Sequence, residues 1–366
     1  MRSRRRNTTG SLKPPKQAIS SQSVRTSVNS VLEVIEAGPL STIQDRGRLG
    51  YQRFGISASG AMDTVAFRVA NALVDNDDDA AAIEMTLAGV TLKISEGRCH
   101  LAYVGAPAAI SVDGVAIEPC TSFIAEEGST ITIGAMRSGL RGYLAVEGGI
   151  LSEPVLGSRA THTRSNIGGL DGGPLRAGQR IPVGSPADPV ICRELDPKML
   201  PSHLGAVRVV LGPQDDLFTP AGISTFLGSE YRLSTKVDRM GCQLEGDRIE
   251  HAGDFNIVSD GIVNGSIQVP GTGQPIVLLA DRQTTGGYAK IATVIGPDLR
   301  KVAQARPGQP LRFEAVDAEA AERIARQQEW DIQAVFSAIR ERADSALPIP
   351  PDRWWTIDLL GGVAKA

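Results

Sequence analysis

The 366-residue sequence has no apolar run that approaches the ~20 residues needed to cross a bilayer, so we expect no transmembrane segment. Aromatic residues make up only 4% of the chain, whereas glycine occurs 40 times and proline 22 times. This balance favours many short strands joined by tight turns over long helices. The length predicts two compact domains, and the hydrophobic content of 42% is ordinary for a globular protein.

Cysteine and histidine are both scarce and scattered. The four cysteines form no CxxC pair, and the four histidines show no spacing typical of metal ligands. We therefore expect no metal centre, and free thiols in a reducing cytoplasm.

The charge is distributed unevenly along the chain. Residues 1–30 contain seven basic residues and no acidic one, and they offer almost nothing to bury, so we predict a disordered basic leader. No apolar segment follows it, which argues against secretion and favours the cytoplasm. The remaining residues carry 31 basic and 41 acidic side chains, a net charge of −10 that argues against nucleic-acid binding.

The hydrophobic pattern divides the rest of the chain into a β-rich block at 31–190, a proline-rich linker at 191–206, a second β block at 207–316 and a C-terminal extension at 317–366. Within the first block, Asp63 precedes a run with helical spacing and is a plausible N-cap. Asp113-Gly114 between two short apolar segments predicts a β-hairpin. Residues 80–85 are compatible with either a short helix or a strand.

A helix is predicted from Ala318 to Arg342. The chain's three tryptophans, Trp330, Trp354 and Trp355, all lie in this extension. They favour docking of the extension either onto its own body or onto another chain.

The most informative segment is the apolar run at 276–280, which predicts a buried strand. Directly after it come polar or flexible residues: Asp281, Arg282, Gln283, Thr284, Thr285, Gly286, Gly287 and Tyr288. A buried strand that presents many donors and acceptors at one end is typical of a binding or catalytic site.

Other loops contribute similar groups. Gln44, Asp45 and Arg48 lie in a glycine-containing turn, where Asp45 and an arginine form either part of a site or a structural ion pair. Ser59 belongs to a small-residue loop that either approaches a ligand or caps the next helix, and Arg239 lies in a short charged turn. Together these groups suit a planar ligand that carries an amide or a carboxylate, since arginine binds carboxylates bidentately.

Several segments, taken in order, match one family. They are Thr42-Ile43-Gln44-Asp45 with Gly47-Arg48, Ser59-Gly60-Ala61-Met62-Asp63, Ala70-Asn71-Ala72-Leu73-Val74, Leu156-Gly157-Ser158-Arg159, Asp238-Arg239-Met240-Gly241, Ile267-Gln268-Val269-Pro270 and residues 281–288. Over about 31–316 the chain resembles the biotin-dependent carboxyltransferase family, subdomains A and B. That family includes allophanate hydrolase subunit 2, the KipA protein and the C subunit of 5-oxoprolinase.

The resemblance implies a mainly β fold with short helices, in which two tandem cyclophilin-like β-barrel units precede the C-terminal helix. It also implies a partner that resembles KipI or the B subunit of 5-oxoprolinase, and a second partner that resembles the A subunit. The chain shows neither a Met-Lys-Met biotin carrier motif nor an ATP-grasp sequence. Biotin would therefore have to be supplied in trans, whereas the 5-oxoprolinase relatives use ATP with their partner proteins to open a lactam.

We accordingly expect one subunit of an ATP-dependent 5-oxoprolinase-like amide hydrolase. The expected catalytic residues are Asp281, Arg282, Gln283 and Asp45, and the expected substrate-binding residues are Gln44, Arg48, Ser59, Thr284, Thr285, Gly286, Gly287, Tyr288 and Arg239. One alternative is transfer of a carboxyl group from carboxybiotin to urea or a related amide, and another is a non-catalytic regulator that binds a KipI-like protein. Gly173 and Gln243 stand where the family usually has arginine, and they leave the substrate open.

Overall fold

The computed structural model describes residues 30–342, together with the backbone at 357–358 and 363–364. The predicted leader up to residue 29 and two of the tryptophans, Trp354 and Trp355, lie outside the described residues. The α-helices are α1 (Thr64–Leu73), α2 (Pro220–Gly228), α3 (Leu299–Gln304) and α4 (Ala318–Ser337). Short 3-10 helices span Gln52–Phe54, Pro197–Met199, Asp215–Leu217 and Gly296–Asp298.

The strands fall into an N-terminal and a C-terminal group. The first group is β1 (Ser30–Glu36), β2 (Leu40–Gln44), β3 (Ala82–Thr86), β4 (Thr91–Glu96), β5 (Cys99–Gly105), β6 (Ile110–Val112), β7 (Val115–Ala116), β8 (Ser122–Ala125), β9 (Thr130–Ile133), β10 (Arg141–Val146), β11 (Arg180–Val183) and β12 (Arg193–Glu194). The second group is β13 (Val207–Leu211), β14 (Tyr231–Val237), β15 (Gly241–Glu245), β16 (Asn256–Gly261), β17 (Ser266–Gln268), β18 (Ile276–Leu278), β19 (Thr285–Tyr288), β20 (Lys290–Val294), β21 (Pro310–Leu311), β22 (Phe313–Ala315), β23 (Arg340–Glu341), β24 (Ile357–Asp358) and β25 (Val363–Ala364).

The first unit is built from two antiparallel sheets. Their strand orders are β11-β1-β4-β9-β6-β7 and β2-β3-β10-β5-β8. Apolar side chains from both sheets form one core, for example Leu32, Ile83, Ile94 and Leu144. The five-stranded sheet is covered on its other face by α1, so β10 is buried along its whole length. In a strand buried on both faces, the sequence is continuously apolar and does not alternate between apolar and polar residues.

Local sequence signals form the elements that were predicted from them. The side chain of Asp63 accepts a hydrogen bond from the amide of Ala66 and so caps α1. Asp113 and Gly114 both have positive φ, 50° and 81°, as a two-residue hairpin between β6 and β7 requires. The ambiguous segment at 80–85 forms strand β3.

The second unit is an eight-stranded sheet in the order β21-β14-β15-β18-β17-β20-β13-β22. Its two edge strands, β21 and β22, are separated in the chain only by Arg312, so the edges lie side by side and the sheet is a nearly closed barrel. The core of this barrel contains Phe226, Tyr231 and Phe313, whose rings pack together. Met62 of the first unit is also buried in this core.

The C-terminal helix α4 packs on α1 of the first unit through Ile332 and Val335. It ends at Ser337, earlier than predicted, because the chain then extends into β23, which pairs with β12. The segment at 191–206 therefore connects the units and also receives the C-terminal extension. Trp330 stays 67% exposed, so it does not contribute to the core beneath the helix.

The prediction of a mainly β fold with short helices is confirmed. All four cysteines are buried free thiols. Among the described residues, no helix is both long enough and apolar enough to span a membrane.

Candidate functional site

Loops from the two β units meet in one junction. The amide of Ser59 donates to the carbonyl of Ala280 at 3.2 Å, and the hydroxyl of Ser57 donates to the carbonyl of Arg282. His162 Nε2 lies 3.3 Å from the carbonyl oxygen of Asp281. The small-residue loop that carries Ser57 and Ser59 and the turn that follows β18 are therefore neighbours.

Arg239 lies at the centre of this junction. Its Nε and Nη2 donate to the two carboxylate oxygens of Asp281 at 3.0 and 3.1 Å, and Nη2 also donates to the carbonyl of Gly60 at 2.7 Å. Its Nη1 donates to Glu84, which lies on β3 of the first unit. All three charged side chains are at most 4% exposed.

The charges of this cluster stabilise one another. Burial alone would lower the pKa of Arg239, but the negative charges of Asp281 and Glu84 outweigh it and raise the pKa above its usual value. Removing one member of such a buried group leaves the others without their counter-charge, which costs more than an exposed ion pair is worth. Arg239, Asp281 and Glu84 thus connect the two units.

Gln44, Asp45 and Arg48, in the first-unit turn, are held by hydrogen bonds to other residues of the chain. The carboxylate of Asp45 accepts from the amides of Gly47 and Arg159 at 2.8 and 2.5 Å and from the hydroxyl of Ser158 at 2.7 Å. Gln44 donates to the carbonyl of Thr161 at 3.1 Å.

Arg48 is fully buried in the same turn. It donates to the carbonyls of Val155, Ser158 and Ala160 at 2.8, 3.3 and 2.9 Å. Burial lowers its pKa, and the nearby carboxylates of Asp45 and Asp281 only partly offset this effect. Together with Gln44 and Asp45, this arginine fixes the loop that carries Ser158 against β2.

Arg282 is bound differently. It is 4% exposed, and its only side-chain hydrogen bonds within residues 30–342 are long ones to the carbonyls of Ile262 and Leu279, at 3.3 and 3.4 Å. Burial lowers its pKa to about 10, although the charge of Asp281 opposes that shift. Because Asp281 is already taken by Arg239, Arg282 is a buried cation with hydrogen-bonding capacity left over.

The residues after Arg282 lead to the surface. Gln283 and Thr285 are exposed, Tyr288 is 40% exposed, and Thr284, Gly286 and Gly287 are half-buried. Residues 285–288 form β19, which pairs with β16 in a two-stranded ribbon. This ribbon carries the hydroxyl of Thr285 and the phenol of Tyr288, and Ile262, directly after β16, accepts a hydrogen bond from Arg282.

Three buried polar side-chain atoms without a hydrogen-bond partner among the described residues lie at the same junction. Within the described part of the chain, Ser59 Oγ, Arg48 Nη1 and His162 Nδ1 make no hydrogen bond. Ser59 also has a positive φ of 56°, which is unusual for a residue other than glycine. Unsatisfied groups and backbone strain of this kind are often found at functional sites.

Two central residues were missed from the sequence. The hydroxyl of Tyr143 donates to Glu84 at 2.7 Å and accepts from the amide of Asp63 at the same distance. The available signal for Glu84 was its position between Ile83 and Met85 in an apolar segment, since a buried carboxylate requires a counter-charge. Nothing in the sequence identified the counter-charge as Arg239.

A guanidinium with free donors can bind an anionic group, and neutral donors and acceptors can bind an amide. Arg282 provides a positive charge, the ribbon provides neutral donors and acceptors, and the Arg239 cluster holds the supporting loops in place. These features define a two-unit β protein with a buried, charged cluster at the junction of its units.

Comparisons with known proteins identify the class of this protein. Residues 54–315 match the family described as "Carboxyltransferase domain, subdomain A and B", and the chain belongs to this family. It is similar to the C subunit of 5-oxoprolinase from Escherichia coli, with 38% identity over 77% of this chain and 90% of that protein. Urea amidolyase of Saccharomyces cerevisiae is 30% identical over 88% of this chain but only 18% of its own length.

A solved structure is also similar throughout the fold. The urea carboxylase of Kluyveromyces lactis superimposes with a TM-score of 0.77 and 26% identity, over 88% of this chain and 30% of that one. The chain thus spans almost the whole of the bacterial relative but only one portion of the long fungal enzymes. These relatives are parts of enzymes, which indicates that this chain also takes part in catalysis.

Proposed function

We propose that this chain is one subunit of an ATP-dependent 5-oxoprolinase-like amide hydrolase. It would open a lactam together with two partner proteins, one that resembles KipI or the B subunit of 5-oxoprolinase and one that resembles the A subunit. The similarity to a curated C subunit, which extends over 90% of that protein, supports this assignment. ATP would be used by the complex, and this reaction requires no biotin.

The observation that carries the proposal is the state of Arg282. A buried guanidinium that has only long hydrogen bonds to main-chain carbonyls is costly to the fold. A carboxylate or phosphate placed against it would offset that cost through charge-assisted hydrogen bonds. A lactam acid such as 5-oxoproline carries both a carboxylate for Arg282 and an amide for the neighbouring ribbon.

The remaining predicted residues then have distinct roles. Gln283, Thr284, Thr285 and Tyr288 would contact the amide or a phosphate, while Gly286 and Gly287 keep the ribbon narrow enough for close approach. Asp281, Arg239, Asp45, Gln44 and Arg48 would hold these groups in position, and the unpaired hydroxyl of Ser59 would face the same ligand. Direct catalytic contact by Asp281 and Asp45 stays a prediction.

The test is activity of the reconstituted complex. The chain is purified with its B-like and A-like partners, and 5-oxoproline-dependent ATP hydrolysis is measured for the wild type and for Arg282→Met. Loss of a charge-assisted hydrogen bond worth about 1.5–3 kcal/mol should lower kcat/KM roughly 10- to 150-fold.

A matched control separates this effect from a general loss of charge. Arg312→Met removes an exposed arginine of the same unit and should leave kcat/KM unchanged. No turnover with any combination of the three proteins would refute the proposed reaction. Wild-type activity in Arg282→Met would refute the role of that residue alone.

A second candidate is transfer of a carboxyl group from carboxybiotin, supplied in trans, to urea or a related amide. The structural similarity to K. lactis urea carboxylase favours it. Urea-dependent consumption of carboxybiotin by the purified chain, with no response to 5-oxoproline, would replace the first assignment by this one.

A third candidate is a regulator that binds a KipI-like protein without catalysis. The ribbon supports it, since Val258 on β16 is 92% exposed and a free strand edge can pair with another chain. Replacement of Arg282 by alanine distinguishes the classes, because a regulator should keep its partner binding and cellular effect.

A further inference from the structure

A cavity of about 360 Å³ lies where the first unit, the connecting segment and helix α3 meet. Most of its wall is apolar, and its volume is within the range of small-ligand sites. The apolar lining includes Ala66, Tyr103, Val104, Ile110, Leu200 and Leu204.

One end of the cavity is polar. Arg300 and Gln304 reach it from α3, and Asp63 reaches it from the start of α1. Gln304 Nε2 donates to Asp63 at 2.9 Å, and Arg300 Nη1 donates to the carbonyl of Pro201 at 2.5 Å. These contacts fix the three side chains at the boundary between the two units.

Arg300 has unused hydrogen-bonding capacity. It is 7% exposed, and its Nη2 reaches Asp63 only at 3.4 Å. Its Nε lies 3.3 Å from Asp63 but makes no hydrogen bond with any described residue. A buried, charged donor without an acceptor is a position at which a bound anion is stabilised.

The carboxylate of Asp63 does not satisfy all the hydrogen-bond donors of Arg300. Its carboxylate also accepts from the amide of Ala66 at the positive end of α1 and from Gln304, so part of its charge is offset elsewhere. Burial and the charge of Arg300 lower the pKa of His203, on the same wall, although Asp63 opposes this shift, so the protonated ring is disfavoured. The guanidinium is then the cation at this end of the cavity.

We propose that this cavity binds a small monocarboxylic acid with an apolar body, the carboxylate accepting from Arg300 and the body packing against the apolar wall. The cavity shares none of its lining residues with the segment at 281–288. The proposal is therefore independent of the reaction assigned to that segment.

The test is a calorimetric titration of the full chain with phenylacetate and hexanoate, each compared with its uncharged amide, phenylacetamide or hexanamide. The acids should bind at least about tenfold more tightly than their amides, since only the acids form a charge-assisted hydrogen bond with the guanidinium. Equal affinity of acid and amide, or no heat from either acid at millimolar concentration, would overturn the proposal.

Variants locate the binding. Ala108→Phe places a ring in the cavity from its half-buried rim and should weaken phenylacetate binding at least about tenfold, because it removes the space for the body. Ala109→Phe adds the same ring at an exposed neighbouring position and should leave binding unchanged. Ser138→Phe, at another lining position that is exposed, replaces Ala108→Phe if that variant fails to fold.

Arg300→Gln completes the test. It should abolish the preference for acid over amide while the amide still binds. Unchanged acid binding in the folded cavity-filling variant, or a full acid preference in Arg300→Gln, would place the ligand elsewhere and refute the site.

Discussion

Removal of Arg239 should strongly destabilise the protein. Arg239→Met leaves the carboxylates of Asp281 and Glu84 buried without the cation that hydrogen-bonds to both. The Nε of Arg141, 4.0 Å from Glu84, and the charges of Arg48 and Arg282 near Asp281 remain, but none of them replaces these hydrogen bonds. Breaking a buried ion pair by deleting one partner costs about 3–5 kcal/mol. We therefore expect the free energy of unfolding to fall by about that amount, which is a large part of the stability of a typical domain.

Urea denaturation followed by far-UV circular dichroism measures this loss. The triple variant that also carries Glu84→Gln and Asp281→Asn removes both uncompensated charges and should recover stability to within about 1–2 kcal/mol of the wild type. Arg312→Met serves as the control, since its ion pair with Glu230 is exposed and worth at most about 1 kcal/mol. A loss below about 1 kcal/mol for Arg239→Met, or no recovery in the triple variant, would refute the view that this cluster joins the units.

Three further predictions concern stability. Arg282→Met should raise the free energy of unfolding, measured by urea denaturation, by about 1 kcal/mol. The pKa of Arg282 falls to about 10, which corresponds to a burial cost of roughly 3 kcal/mol, and its long hydrogen bonds offset that cost only in part. A variant less stable than the wild type would contradict this prediction. Glu329 binds Arg68 at 2.8 and 2.9 Å, which lowers the pKa of Glu329 from 4.5 to about 2. This contact should therefore stabilise the fold above pH 4.5, and its contribution should be lost as the pH falls from 4.5 towards 2. Since Glu329 is 51% exposed, Glu329→Gln should cost under about 1 kcal/mol at pH 7 and flatten the acid limb of a stability–pH curve. Gly168→Ala would place a Cβ 2.1 Å from the carbonyl oxygen of Ala160 and 2.9 Å from Arg48 Nη2, at a residue with positive φ. The variant should have a lower thermal midpoint and a free energy of unfolding reduced by at least about 2 kcal/mol. An unchanged midpoint would show that the loop adjusts to the added methyl group without strain.

Elements with a local signal were predictable from the sequence. Asp63 caps α1 because its side chain reaches an amide three residues away, and Asp113-Gly114 makes a hairpin because both residues accept positive φ. Strand β3 was ambiguous because Glu84 interrupts an apolar run, and the reason for that charge lies elsewhere in the chain. The predicted length of α4 was wrong at its C-terminal end, since periodicity does not register that β23 pairs with β12.

The candidate site was predictable as a set of loops but not as a set of contacts. The clusters around Asp45 and Asp281 could be identified because polar residues follow glycine-rich or apolar segments. Arg239 contacts Asp281 across 42 residues and Glu84 across 155, and neither separation leaves a trace in the local pattern. For the same reason Arg48 could not be recognised as a residue that binds carbonyls more than 100 positions away.

The burial of Met62 inside the barrel of the second unit bears on how this chain can be divided. A gene cut within 191–206 would leave the N-terminal fragment with an uncovered thioether and the C-terminal fragment with a hole of matching size. We therefore expect neither half to fold stably on its own, although each carries the complement of the other. Co-expressed halves should reassemble into one particle, whereas either half expressed alone should aggregate or be degraded.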